Sequence, residues 1–161
     1  MATNSTSASE SESNNSRPTA NAVTLGSAIT GQLSTTTDID YYAVAVTAAG
    51  TLTLVFDVPT DSTYQDYFKL GLYDASGTVL ALFTTGQDKT YSLGAPAAGT
   101  YYVGVAVGSS SYYNSNQYSV TASHVAGSAN GSESEANNAI ATADAVTLGS
   151  AYNWREHAWQ G

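Results

Sequence analysis

The sequence predicts an all-β protein, an antiparallel β-sandwich of about eight strands, and three observations carry that reading. Thr, Val, Tyr and Leu dominate from Val23 to His124, with turn residues returning at intervals of about 8–12 positions, the spacing of short strands. Several of the intervening runs alternate apolar and polar residues, as a half-buried strand does. Nothing of roughly 10–15 residues carries the 3.6-residue apolar period of an amphipathic helix.

Residues 1–9 are small and polar and read as a flexible linker. Residues 10–22 hold an acidic run, then Pro18, and Thr19–Ala22 allows either a short helical turn or a loop. Strands are expected over 28–33, 41–47, 51–58, 67–74, 78–84, 89–94, 100–107 and 117–124. In 51–58, Leu52, Leu54, Phe56 and Val58 share one face and Thr51, Thr53 and Asp57 the other. In 100–107, Tyr101, Val103, Val105 and Val107 oppose Tyr102, Gly104 and Ala106; in 117–124, Tyr118, Val120 and Ala122 oppose Ser119, Thr121 and Ser123. The expected interior includes Leu54, Phe56, Leu70, Leu72, Val103, Val105, Tyr118 and Val120. Tyr101 and Tyr118 are expected in the core with their hydroxyls at the rim. Tyr64, Tyr67, Tyr112 and Tyr113 fall in loops, where they could form a contact surface. Asp74-Ala-Ser-Gly77 and Ala48-Ala-Gly50 end in glycine, where positive φ is cheap.

The chain repeats itself. Residues 10–28 and 133–151 agree at 14 of 19 positions, so Glu10-Ser-Glu12-Ser-Asn14-Asn15 returns as Glu133-Ser-Glu135-Ala-Asn137-Asn138. The organisation read from this is a β-sandwich with its acidic segment over 10–124, a linker over 125–132, and over 133–161 the head of a second repeat with a divergent tail. The copies part after Ala151, and the last ten residues hold both tryptophans.

Composition narrows the function. The 161 residues carry 13 acidic and 4 basic side chains, a net charge of −9, which argues against nucleic acid or anionic lipid as partner and favours cations. Cysteine is absent, so thiol chemistry and disulfides are excluded. The first residues lack the apolar stretch of a signal peptide, and a start Met before a Ser/Asn/Thr run suggests a fragment of a longer secreted chain. No apolar run approaches the ~20 residues of a membrane span.

The acidic run is where chemistry is expected. Two carboxylates and two amides within six residues are hard oxygen ligands on a flexible backbone, which suits Ca²⁺ and its roughly 6–8 oxygens. Asp38 and Asp40, at i and i+2 entering a strand, point the same way, which suits one ion better than the two roles of a glycosidase pair. His124 and His157 have no partner at zinc spacing, and no Gly-x-Ser-x-Gly elbow is present.

Six landmarks follow in order: the Glu-x-Glu-x-Asn-Asn head, Thr19-Ala20, Asp38-x-Asp40-Tyr-Tyr42, Leu70-x-Leu72-Tyr-Asp74, Ala98-Gly-Thr-Tyr-Tyr-Val103 and Tyr118-Ser-Val120. Together they resemble the bacterial pre-peptidase C-terminal domain, and are similar to the collagen-binding domain of clostridial collagenases. The resemblance covers residues 10–124. It implies a jelly-roll-like sandwich appended to secreted enzymes, without catalysis of its own. In the collagenase branch it implies Ca²⁺ held by Glu10, Glu12, Asn14 and Asn15 from the head with Asp38 and Asp40. Asn15 and Thr37 stand where that branch often has acidic residues; both changes remove negative charge, which favours one ion over two and leaves the number open. Collagen binding is not implied. The expected function is a non-catalytic calcium-binding module of a secreted or cell-surface protein, aiding stability, secretion or attachment to an extracellular polymer. The alternative is a repeat subunit of an extracellular filament or adhesin, with the second head docking on a neighbouring copy.

Overall fold

The computed structural model describes residues 8–59 and 67–127, and within them the chain forms ten strands in two five-stranded sheets. The strands are β1 (Ala8–Ser9), β2 (Asn21–Val23), β3 (Ala28–Gly31), β4 (Ile39–Val46), β5 (Gly50–Asp57), β6 (Phe68–Tyr73), β7 (Val79–Thr85), β8 (Lys89–Ala95), β9 (Gly99–Val107) and β10 (Tyr118–Ala126). One sheet runs β1-β3-β10-β5-β8 and the other β2-β4-β9-β6-β7. The eight expected strands are all there, with ends within two residues of those read from the sequence. Only β6 and β7 pair as sequence neighbours among the described residues; every other ladder joins distant parts of the chain.

Alternation fixes what is inside. Leu52, Leu54 and Phe56 point inward from β5 with Val58 just beyond its end, Leu70 and Leu72 from β6, Val103 and Val105 from β9, and Tyr118 and Val120 from β10, all buried. Phe56, Phe68 and Tyr118 meet at centre-to-centre distances of 5.2–5.7 Å in tilted and edge-on arrangements that suit aromatic quadrupoles. At one side of the sandwich Phe83 on β7 stacks on Tyr91 on β8 at 3.5 Å, tying together the last strand of each sheet.

The two strands beyond the expected eight, β1 and β2, are short and pair in parallel with β3 and β4. Neither has an apolar alternation to announce it; each exists because a neighbouring sheet edge offers free backbone groups. So Ala8 and Ser9 are ladder residues, not linker, and at the other end β10 continues through Val125 and Ala126, paired with Thr51 and Gly50. The helical turn is real but earlier than Thr19–Ala22: a 3-10 turn covers Arg17–Thr19, begun by Pro18, whose fixed φ suits a first turn. Gly77 adopts φ +92° as its turn requires, whereas Gly50 is a strand residue whose missing Cβ makes room for the Val125 carbonyl. Tyr67 and Tyr113 do not form a free surface; both pack against the core, and the Tyr113 hydroxyl donates to the Leu33 carbonyl at 2.7 Å. Tyr64, His157, the second head with Glu133, Glu135, Asn137 and Asn138, and the divergent tail lie outside the described residues.

Candidate metal centre

The head of the chain, residues 8–23, stitches the two sheets together. It starts as β1 on the edge of β3, where the Glu10 amide continues the ladder to the Thr30 carbonyl at 2.9 Å. It then leaves that sheet, and the Asn14 carbonyl accepts from the Tyr41 amide at 3.0 Å. After the Arg17–Thr19 turn it joins the other sheet as β2, with Val23 buried beside Val44. Arg17 lies over the ring of Tyr102 at 5.9 Å and against Gly77.

This path brings three carboxylates to one point. Oxygens of Glu10, Glu12 and Asp40 all lie within 4.8 Å of one another. Asp40 is a residue of β4 whose side chain points inward, fully buried; Glu10 is half-buried and Glu12 exposed. Glu10 Oε1 accepts from the Gln32 amide at 2.5 Å, and Oε2 from the Tyr42 hydroxyl at 2.5 Å and the Asn14 side-chain amide at 3.2 Å. Asn14 is itself fully buried, and its amide also donates to Asn21 Oδ1 at 3.2 Å. Two oxygens are left over: Asn14 Oδ1 and Asp40 Oδ1 are buried and have no hydrogen-bond donor. A buried acceptor without a donor costs on the order of 1–3 kcal/mol.

The tyrosines behind the cluster set its protonation. Asp40 Oδ2, Tyr118 Oη, Tyr42 Oη and Glu10 Oε2 form a chain with successive separations of 2.5, 2.8 and 2.5 Å. Three contacts need three protons, and two hydroxyls supply two. The third belongs on a carboxyl group, and burial selects Asp40. Its pKa is pushed up from 3.8 to about 8, first by burial, with the Tyr118 hydrogen bond pulling down and the charges of Glu10, Asp38 and Glu12 adding to the rise. Burial also holds both tyrosines protonated, with Glu10 reinforcing it at Tyr42 and the neighbouring Tyr42 and Asp40 at Tyr118. The expectation that the Tyr118 hydroxyl reaches the rim is therefore corrected: it is held inside by its hydrogen bond to Asp40, which faces it from β4 of the other sheet. Tyr42 was not singled out, although it shares Asp40's face at i+2 and period two alone places it there.

The other residues expected to be ligands stand around the cluster in different roles. Asn14 lies in it. Asn15 and Asp38 lie beside it; with the Asn15 amide turned so that its nitrogen faces the acceptors around it, it donates to Asp38 Oδ1 at 3.0 Å. Asp38 otherwise caps its own turn, accepting from the Ser34 amide and hydroxyl at 2.7 and 2.6 Å and from the Ile39 amide at 3.0 Å. An open cavity of about 450 Å³, lined by Glu10, Glu12, Gln32, Ser34, Tyr113 and Gln117 among others, leads to the carboxylates from solvent. Three convergent carboxylates and two donor-less oxygens make a set that could hold a metal ion.

A β-sandwich closed by an acidic N-terminal segment is thus the class to which fold and site assign this chain. No protein-family model matches the sequence. No curated protein matches it either. Among solved structures it is similar to the pre-peptidase C-terminal domain of a collagenase from Bacillus anthracis, with a TM-score of 0.50 and 20% identity over 64% of this chain and 93% of that one. It also aligns with PliG of Aeromonas hydrophila, a periplasmic inhibitor of g-type lysozyme, with a TM-score of 0.49 and 15% identity over 66% and 96% of the two chains. The first likeness establishes the fold: that of a pre-peptidase C-terminal domain, as the order of the sequence motifs led one to expect.

Proposed function

We propose that this protein is a non-catalytic, calcium-stiffened β-sandwich module of a secreted or cell-surface protein. The observation that carries the reading is the pair of donor-less oxygens, Asp40 Oδ1 and Asn14 Oδ1, buried where Glu10 and Glu12 converge. Hard oxygens in such number favour Ca²⁺ over softer-ligand metals. Glu10, Glu12 and Asp40 would hold the ion with the Asn14 oxygen, and Asn15 and Asp38 would brace the loop behind them. The ion would join the head to β4 and supply the charge that the cluster lacks. The likeness to a C-terminal domain of a collagenase supports an accessory role outside the cytoplasm.

The test is thermal unfolding with calcium against unfolding with a chelator. Binding to the native state alone stabilises by about 2.7 kcal/mol at a hundredfold excess over Kd. The midpoint is expected to rise with calcium, and the rise to vanish in the Glu12→Ala, Asp40→Ala double variant. Equal midpoints with and without calcium remove the ion from the reading; a rise that survives the double variant moves its site elsewhere.

A further inference from the structure

The 161 residues contain two heads, at 10–28 and 133–151, and one described sandwich, and the first head's contacts show what a head needs in order to seat. Glu10 takes the Gln32 amide and the Tyr42 hydroxyl. Asn14 accepts from the Tyr41 amide and steadies Glu10. Asn21 offers its oxygen to the Ser11 and Asn14 amides, and Val23 enters the core. The second head has Glu133, Asn137, Asp144 and Val146 at these positions: three side chains unchanged, and an Asp that keeps the acceptor oxygen but gives up the bond that the Asn21 amide donates to the Ser11 carbonyl at 3.2 Å. The remaining differences fall at Ser13, Ser16 and Pro18, which are exposed, and at Arg17, which faces Tyr102 rather than the groove.

Distance decides which groove the second head can reach. β10 begins at Tyr118, paired with Gly31 beside the groove, and ends eight steps away at Ala126. At about 3.3 Å per step that is ~26 Å, and with two strands of sideways offset at about 4.8 Å each the gap to the Glu10 position is ~28 Å. The seven steps from Ala126 to Glu133 span at most about 25 Å even when fully extended. A chain's second head therefore falls short of its own groove while β10 stays paired.

We infer that residues 133–151 of one copy seat in the head groove of a second copy, displacing its residues 10–28, so that copies of this chain join by head exchange. The resident head holds three advantages: its covalent tether, which gives an effective concentration on the order of millimolar, the Asn21 amide on the Ser11 carbonyl, where the second head has Asp144, and Arg17 over Tyr102, where the second head has Ile140. Exchange thus grows with protein concentration and with loss of Arg17. The inference does not depend on the ion, and its test runs in chelator.

The absence of cysteine makes cross-linking unambiguous. Ala22 and Ala43 are register partners on β2 and β4, and Ala145 corresponds to Ala22 in the second head. The full chain is prepared as A43C/A145C, with A22C/A43C as the control, each with Arg17 and with Arg17→Ile, a surface change that leaves the core intact. Under mild oxidation the control closes within one chain. A43C/A145C is expected to give between-chain dimers and higher species whose yield rises with concentration, rises several-fold further in Arg17→Ile, and falls when a synthetic peptide of residues 131–151 is added but not a scrambled one. Three results overturn the inference: no between-chain product in either background where the control closes, closure within one chain, or between-chain product indifferent to the peptide.

Discussion

Asp40 holds a proton that a bound cation would have to displace. Its pKa stands at about 8 in the fold against 3.8 as the ordinary value. Between those values the folded chain keeps a proton that the unfolded chain has released, so stability of the metal-free protein rests partly on that proton. This contribution is fully present below about pH 4 and is lost as pH rises through 8. A cation has the opposite preference, because it needs the carboxylate. Its apparent affinity is expected to climb with pH up to about 8 and then level off, with about one proton released per ion at pH 6.5. Calorimetry in two buffers of different ionisation enthalpy measures this directly, and zero release would mean that Asp40 is not a ligand. Asp40→Asn should behave as a permanently protonated side chain: the metal-free protein keeps or gains stability at pH 8 and loses its response to calcium.

At the scale of the strand, two positions on the strands that flank β10 test the packing. Gly31 closes β3 under the tyrosine pair, and a Cβ there would collide with the hydroxyls of both Tyr42 and Tyr118. Gly31→Ala should cost about 1–3 kcal/mol by overpacking, read by urea unfolding, and should weaken the calcium response by displacing the donor to Glu10. Phe56→Ala on β5 should cost about 3–5 kcal/mol, and a loss within about 0.5 kcal/mol would place that ring outside the core. Strands of this kind are legible in sequence because one face is buried: Leu52, Leu54 and Phe56 announce β5 and its register. β1 and β2 are not legible, since Ala8-Ser9 and Asn21-Ala-Val23 are defined by the edges they join rather than by their own side chains. The site divides along the same line. Glu10, Glu12 and Asp40 could be found from residue type and the repeat, because hard ligands are conspicuous in a chain with few charges. That Asp38 braces a turn while Asp40 enters the cluster depends on which side of the β4 start each falls, and the loop from Ser34 to Asp38 carries no periodicity to say so.

For the molecule as a whole, the direction of its edge strand determines how it answers force. β1 runs parallel to β3, and β10 runs antiparallel to the same strand. Ala8 and Ala126 therefore leave through the same end of the sandwich. Tension between those two points does not shear a ladder along its length. It peels β1 away from β3 one hydrogen bond at a time, the mechanically weak direction, and the load then falls on the contacts of Glu10 and Asn14 with the sheets. Without a cation those are hydrogen bonds; with one, Asp40 on β4 and the two glutamates of the head would share the ion, and the head would become a latch. Stretching the chain between residues 8 and 126 in optical tweezers should show an early, low-force step for release of the head and a later one for the sandwich. Calcium should raise the force of the first and leave the second nearly unchanged, whereas an unchanged first step would mean that the cluster bears no load. Under load the head would then stay latched only as firmly as the surrounding cation permits, while the sandwich behind it holds on its own.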